Sequence, residues 1–121
     1  MFRALLTVSG VFAVALGLLL LIAPDAYLAV YVDVSDGMGF GARRLSPAII
    51  GLGVVLLLVA PMPPGPFPSR FAAATAFVWL GVAATGIYDF LTGTAHANIL
   101  LAAVTEVILG ALFLWAARAH R

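Results

Sequence analysis

FRALLTVSGVFAVALGLLLLIA, residues 2–23, carries one charge, Arg3, and nothing ionisable after it until Pro24-Asp25. A hydrocarbon core of roughly 30 Å needs about 20 apolar residues of helix at about 1.5 Å rise per residue. The run meets that length, and the proline and aspartate that follow stop the helix and return the chain to water. A cleaved signal peptide is the rival reading. Its apolar region runs to about 7–15 residues and ends in a small-x-small site, and this segment is longer and has no such site. It therefore reads as a membrane span.

Three further segments match it. Residues 43–60 form a second span whose uncharged part, 45–60, is short, so Arg43 and Arg44 are expected to snorkel outward and Pro47 to sit in the first turn. The stretch PMPPGPFP, residues 61–68, reads as a stiff, non-helical connector, with Ser69 the N-cap of a third span over 71–91. Thr92-Gly93-Thr94-Ala95-His96 is a tight turn into a fourth span over 97–117. Short connectors make neighbouring spans antiparallel, so the expected fold is all-α: one membrane domain, residues 1–121, built as a four-transmembrane-helix antiparallel bundle.

Composition agrees. Apolar residues make up 64% of the chain and charged residues 9%, against roughly 25% charged in soluble domains, which is too little to coat a water-facing surface. The net charge is +1 and no basic run occurs, so nucleic acid is excluded as a partner and the lipid bilayer is the expected one. The absence of cysteine removes disulfides, thiolate catalysis and Cys-ligated metals. All six cations are arginines, as GC-rich bacterial coding would produce.

Arginines near span ends favour the cytoplasmic side. With four spans, Arg3, Arg70, Arg118 and Arg121 fall on one face and Arg43 and Arg44 on the other. Both termini are therefore expected in the cytoplasm, in a bacterial inner membrane. The longest connector, residues 24–42, lies on the outer face with Tyr27, Tyr31 and Phe40, and reads as an interfacial lid. Asp33 and Asp36 do not have the spacing of a calcium loop, and His96 and His120 lie on opposite faces, so no metal site is expected.

Glu106 is the misfit. It sits at the centre of the fourth span, where an ionisable side chain costs roughly 2.5–3.5 kcal/mol on insertion scales. It should not face lipid. The stripe Ala102, Glu106, Gly110 supports an inward orientation, because small residues four apart mark a closely packed face. Trp79 and Gly81 lie near its depth, Thr85 about a turn nearer the outer face, and Arg44 and Asp89 near the outer boundary. Val78, Gly81, Thr85 and Asp89 recur at helical spacing, as do Arg44, Ala48, Gly51 and Val55. The expected site is an outward-facing polar cavity with Arg44 and Asp89 at its mouth and Glu106 at its floor, for a small ligand or a proton. The plainer alternative makes Glu106 a hydrogen-bonded strut and Arg44–Asp89 an interfacial ion pair. Ser9 and Thr7 have no base in reach, so nucleophilic catalysis has no support, and Trp115 and Tyr88 read as interface anchors.

The break LLLLIAPDAYL (18–28), the second-span run ARRLSPAIIGLGVVLLL (42–58) and the fourth-span run LLAAVTEVILGALFLW (100–115) resemble the DoxX-like small four-helix bacterial membrane proteins, in an uncharacterised branch. That branch has an arginine directly before its Ala-aliphatic-aromatic-Gly run. Here AIIG at 48–51 follows Pro47, with Arg44 the nearest arginine, whereas Glu106 matches. The resemblance implies an accessory subunit tied to quinone or redox partners, quinone being the one cofactor it suggests. With the resemblance, the favoured reading is a small accessory or ligand-binding protein, with a membrane partner or a second copy of itself. A transporter would have to oligomerise to form a path, an enzyme would need a second catalytic group beside Glu106, and a purely structural role is the remaining alternative.

Overall fold

In the computed structural model, which describes residues 1–119, the four long apolar runs form helices. The helices are α1 (Phe2–Ile22), α2 (Pro24–Leu28), α3 (Met38–Val59), α4 (Pro66–Leu91) and α5 (Ile99–Ala119). All but α2 are long and apolar enough to cross a membrane, and the described residues contain no strand. The protein is all-α and multi-pass. It is organised as two units, Met1–Pro61 and the chain from Met62 onward. His120 and Arg121 lie outside the described residues.

In the first unit α1 and α3 run antiparallel. Gly10 lies against Gly53 and Leu57, and Gly17 against Ile50 and Ser46, so advancing along α1 retreats along α3. The buried line of α1 is Leu6, Gly10, Ala13, Gly17 and Leu20, with small residues where the backbones meet. Apolar side chains gain nothing by leaving lipid for protein, so close packing of this kind supplies the attraction between spans. Pro24 and the Asp25 carboxylate rest against Gly39 at the start of α3, which docks α2 there.

The second span is longer than the expected 43–60. α3 begins at Met38 and has 22 residues, or about 33 Å, enough to cross without mismatch. The connector is correspondingly shorter: Gly39 and Gly41 belong to the helix, and Gly37, at φ +89°, is the turn that starts it. Pro47 therefore lies inside the helix rather than in its first turn. Lacking an N–H, it leaves the carbonyl of Arg43, four residues back, without its helical donor. The Ser46 hydroxyl supplies one, donating to the Arg43 carbonyl at 2.7 Å.

In the second unit the third span also starts earlier than 71. Pro66, Phe67 and Pro68 are helical, with Gly65 as N-cap. The first-turn N–H groups of a helix have no intrahelical partner, so prolines there cost no hydrogen bond. Ser69 is consequently not the N-cap. Its hydroxyl donates across the unit to the Ala117 carbonyl at 2.6 Å, in the last turn of α5. At the other end Gly93, at φ +81°, closes α4: Thr94 N–H donates to the Asp89 carbonyl at 2.9 Å and Gly93 N–H to Phe90 at 3.1 Å, a Schellman motif that satisfies carbonyls left over at the helix end. Between these ends Gly110 packs on Leu80 and Ala76, and Gly86 on Ile99, so α4 and α5 form an antiparallel hairpin.

Candidate functional site

α5 turns one face to α4, and Glu106 is on it. Ala103, Gly110, Phe113 and Ala117 are buried, at steps of seven, three and four, and Glu106 fills the gap between Ala103 and Gly110 in the same helical line. Its side chain is half-buried. The contacts of Gly110 with Ala76 and Leu80, and of Gly86 with Ile99, set the register of the hairpin. By that register Glu106 stands level with the turn of α4 formed by residues 79–83. Among the described residues of its own hairpin no donor or cation bonds its carboxyl group.

Trp79 belongs to the same layer. It is buried together with Ala72, Ala76, Ala83 and Gly86, the line of α4 that packs on α5. Glu106 and Trp79 are thus the two candidate residues that the second unit brings onto facing helix surfaces at similar depth.

Thr85 and Asp89 lie elsewhere on α4. At 100° per residue, the line of Val78, Gly81, Thr85 and Asp89 is turned about 135° from the packed face. Thr85 is exposed and its hydroxyl is taken up by the Val82 carbonyl at 2.8 Å, while the space beside Gly81 is open. Asp89 lies about 12 Å along α4 from the level of Glu106. Its backbone carbonyl is the acceptor of the Schellman motif.

Arg44 belongs to the first unit. Its guanidinium lies over the Phe40 ring, 5.9 Å from the centroid, so the side chain reaches back one turn toward the start of α3, as a snorkelling arginine does. Ala48, Gly51 and Val55 on its line are exposed, and nothing packs on Gly51. The face of α3 that meets α1 is the other one, through Ser46, Ile50 and Gly53.

Two features carried too little sequence signal to stand out. Ser9 is buried at 1% exposure and its hydroxyl has no hydrogen-bond partner among the described residues; a single serine in an apolar helix gives no hint of this. A groove of about 280 Å³ opens in the second unit between Arg70 and Arg118. The two residues are far apart in sequence and line one groove because the hairpin closes. In the connector of the first unit the Tyr27 and Tyr31 rings meet edge to face with centroids 5.3 Å apart, and Asp33 and Asp36 are exposed. No group of three His, Cys, Asp or Glu side chains able to hold a metal occurs among the described residues. Comparison with known proteins brings no match: no family model, no curated protein and no solved structure is similar to this chain.

Proposed function

We propose that the protein is a small accessory subunit of a bacterial inner membrane that binds a lipid-soluble ligand or a partner subunit through Glu106. The observation that carries this reading is the position of that carboxyl group, central on the packed face of α5 and unbonded within its own hairpin. An ionisable group at bilayer depth is stable only with a partner, and neither helix of the hairpin offers one. A carboxyl can both donate and accept hydrogen bonds, which suits a carbonyl-bearing ligand such as a quinone, the class that the DoxX-like resemblance implies. Trp79, on the facing helix, would supply a flat apolar surface for its ring. Both termini are cytoplasmic in this reading, on the arginine distribution.

The test is ligand content. Wild-type protein purified in mild detergent is expected to carry a quinone-class compound in its organic extract, identified by mass spectrometry. Glu106→Gln should fold in equal yield and lose it. Equal ligand content in the two proteins, together with a lower melting temperature for Glu106→Gln, would assign Glu106 to a strut instead. Orientation is tested separately by single-cysteine labelling, which needs no background removal because the chain has no cysteine.

A further inference from the structure

The groove between Arg70 and Arg118 is lined by those two residues with Ser69, Ala73, Leu114 and Ala117, and has an open volume of about 280 Å³. We propose that it binds a phosphate-bearing anion, the headgroup of an anionic phospholipid.

Charge is the first reason. The two guanidiniums come from different helices, Arg70 from the second turn of α4 and Arg118 from the last turn of α5, and the Ser69–Ala117 hydrogen bond holds these ends together. The unit has two acidic side chains, Asp89 and Glu106. Asp89 lies about 28 Å along α4 from Arg70, and Glu106 about 18 Å along α5 from Arg118. Neither arginine has an ion-pair partner among the described residues. Two cations lining one groove, with no ion-pair partner among the described residues, raise the local potential for an anion, and the planar guanidinium fork matches phosphate oxygens.

The shape of the groove selects a lipid over a free ion. Its apolar lining is Ala73, Leu114 and Ala117, methyl groups that suit an acyl chain and offer a bare phosphate nothing. The polar end lies at the termini of two spans, where headgroups sit, and anionic lipids attract arginines there. The start of α4 adds little, since Pro66 and Pro68 have no N–H to donate. Recognition falls to the two arginines. The groove lies at the opposite end of the hairpin from Asp89 and is independent of the reading given for Glu106.

The experiment uses the full chain in nanodiscs of equal phosphatidylglycerol and phosphatidylcholine, with retained lipid counted by native mass spectrometry. Wild type is expected to enrich phosphatidylglycerol. Arg70→Gln and Arg118→Gln should each lower the enrichment about fivefold, the scale of one arginine at a charged surface, and the double variant should abolish it. Both residues are exposed, so folding is expected to survive, and circular dichroism checks it. Arg43→Gln, in the other unit, should leave the enrichment unchanged. Wild-type enrichment in the double variant, or an equal loss in Arg43→Gln, overturns the site. Calorimetric titration with inorganic phosphate separates the two sources of the anion: phosphate binding that needs both arginines, without phosphatidylglycerol enrichment, overturns the lipid as ligand.

Discussion

Gly10 of α1 and Gly53 of α3 meet backbone to backbone: a Cβ on Gly10 would lie 2.9 Å from the Gly53 carbonyl oxygen, and a Cβ on Gly53 would lie 2.7 Å from the Gly10 carbonyl oxygen. The approach is reciprocal, so neither helix can yield without moving the other. It is the contact on which the first hairpin closes.

Gly10→Ala and Gly53→Ala should each lower stability by about 1–3 kcal/mol, the usual cost of overpacking. Gly51→Ala and Gly81→Ala, on helix faces with nothing within 4 Å, should be neutral or stabilising by up to about 1 kcal/mol, because alanine is the better helix former. Melting temperatures of the four variants in one detergent decide it. A Gly51 variant as damaged as the Gly53 variant would refute the assignment of packed faces on α3.

Ser46 and Pro47 act as a pair. Ser46→Ala removes the donor to the Arg43 carbonyl, and the unsatisfied group should cost about 1–3 kcal/mol. Pro47→Ala restores a backbone N–H at the position that can reach the same carbonyl. The double variant should therefore be more stable than Ser46→Ala alone, a coupling that a double-mutant cycle measures. Additive effects would mean that the hydroxyl does not compensate for the proline.

Ser69→Ala should cost about 0.5–1.5 kcal/mol, the net value of an ordinary hydrogen bond. Because the bond to Ala117 ties the two ends of the hairpin, hydrogen exchange should quicken in the first turn of α4 and the last turn of α5 and stay unchanged at the Gly93 turn.

Thr85 and Glu106 offer a contrast within one hairpin. Thr85→Ala should leave ligand content as in wild type, since its hydroxyl is already bonded to Val82 and lies off the packed face. Glu106→Leu should raise the melting temperature while eliminating the ligand, as the removal of an intramembrane acid relieves its desolvation cost. Ligand loss in Thr85→Ala would relocate the site to the open face of α4.

Much of this was legible in the residues. The uncharged run from Ala4 to Ala23 has one physical solution, a span, because only a helix satisfies its own backbone in hydrocarbon. Gly110, four residues from Glu106, marked their shared line as a packing surface, and in the structure that line meets α4. Span boundaries were less legible wherever proline intervened. Pro66 and Pro68 read as connector, yet they open α4, since a proline ring is harmless where no N–H is needed. Pro47 read as a first-turn residue, and the helix continues past it because Ser46 replaces the missing donor.

The amino-acid sequence by itself determined the number of membrane-length helices, their solvent and the depth of Glu106, since apolar length and helical rise are local properties; the short α2 was not read from it. Which face of each helix meets its neighbour was decided only by tertiary structure. On α3 the line through Gly51 and the line through Gly53 are equally rich in small residues, and sequence does not rank them. The Gly53 line wins where it fits against Gly10, because attraction between spans in lipid depends on how closely two particular surfaces approach. For Arg70 and Arg118 the shared membrane face was read from the sequence, and closure of the α4–α5 hairpin put both on one groove.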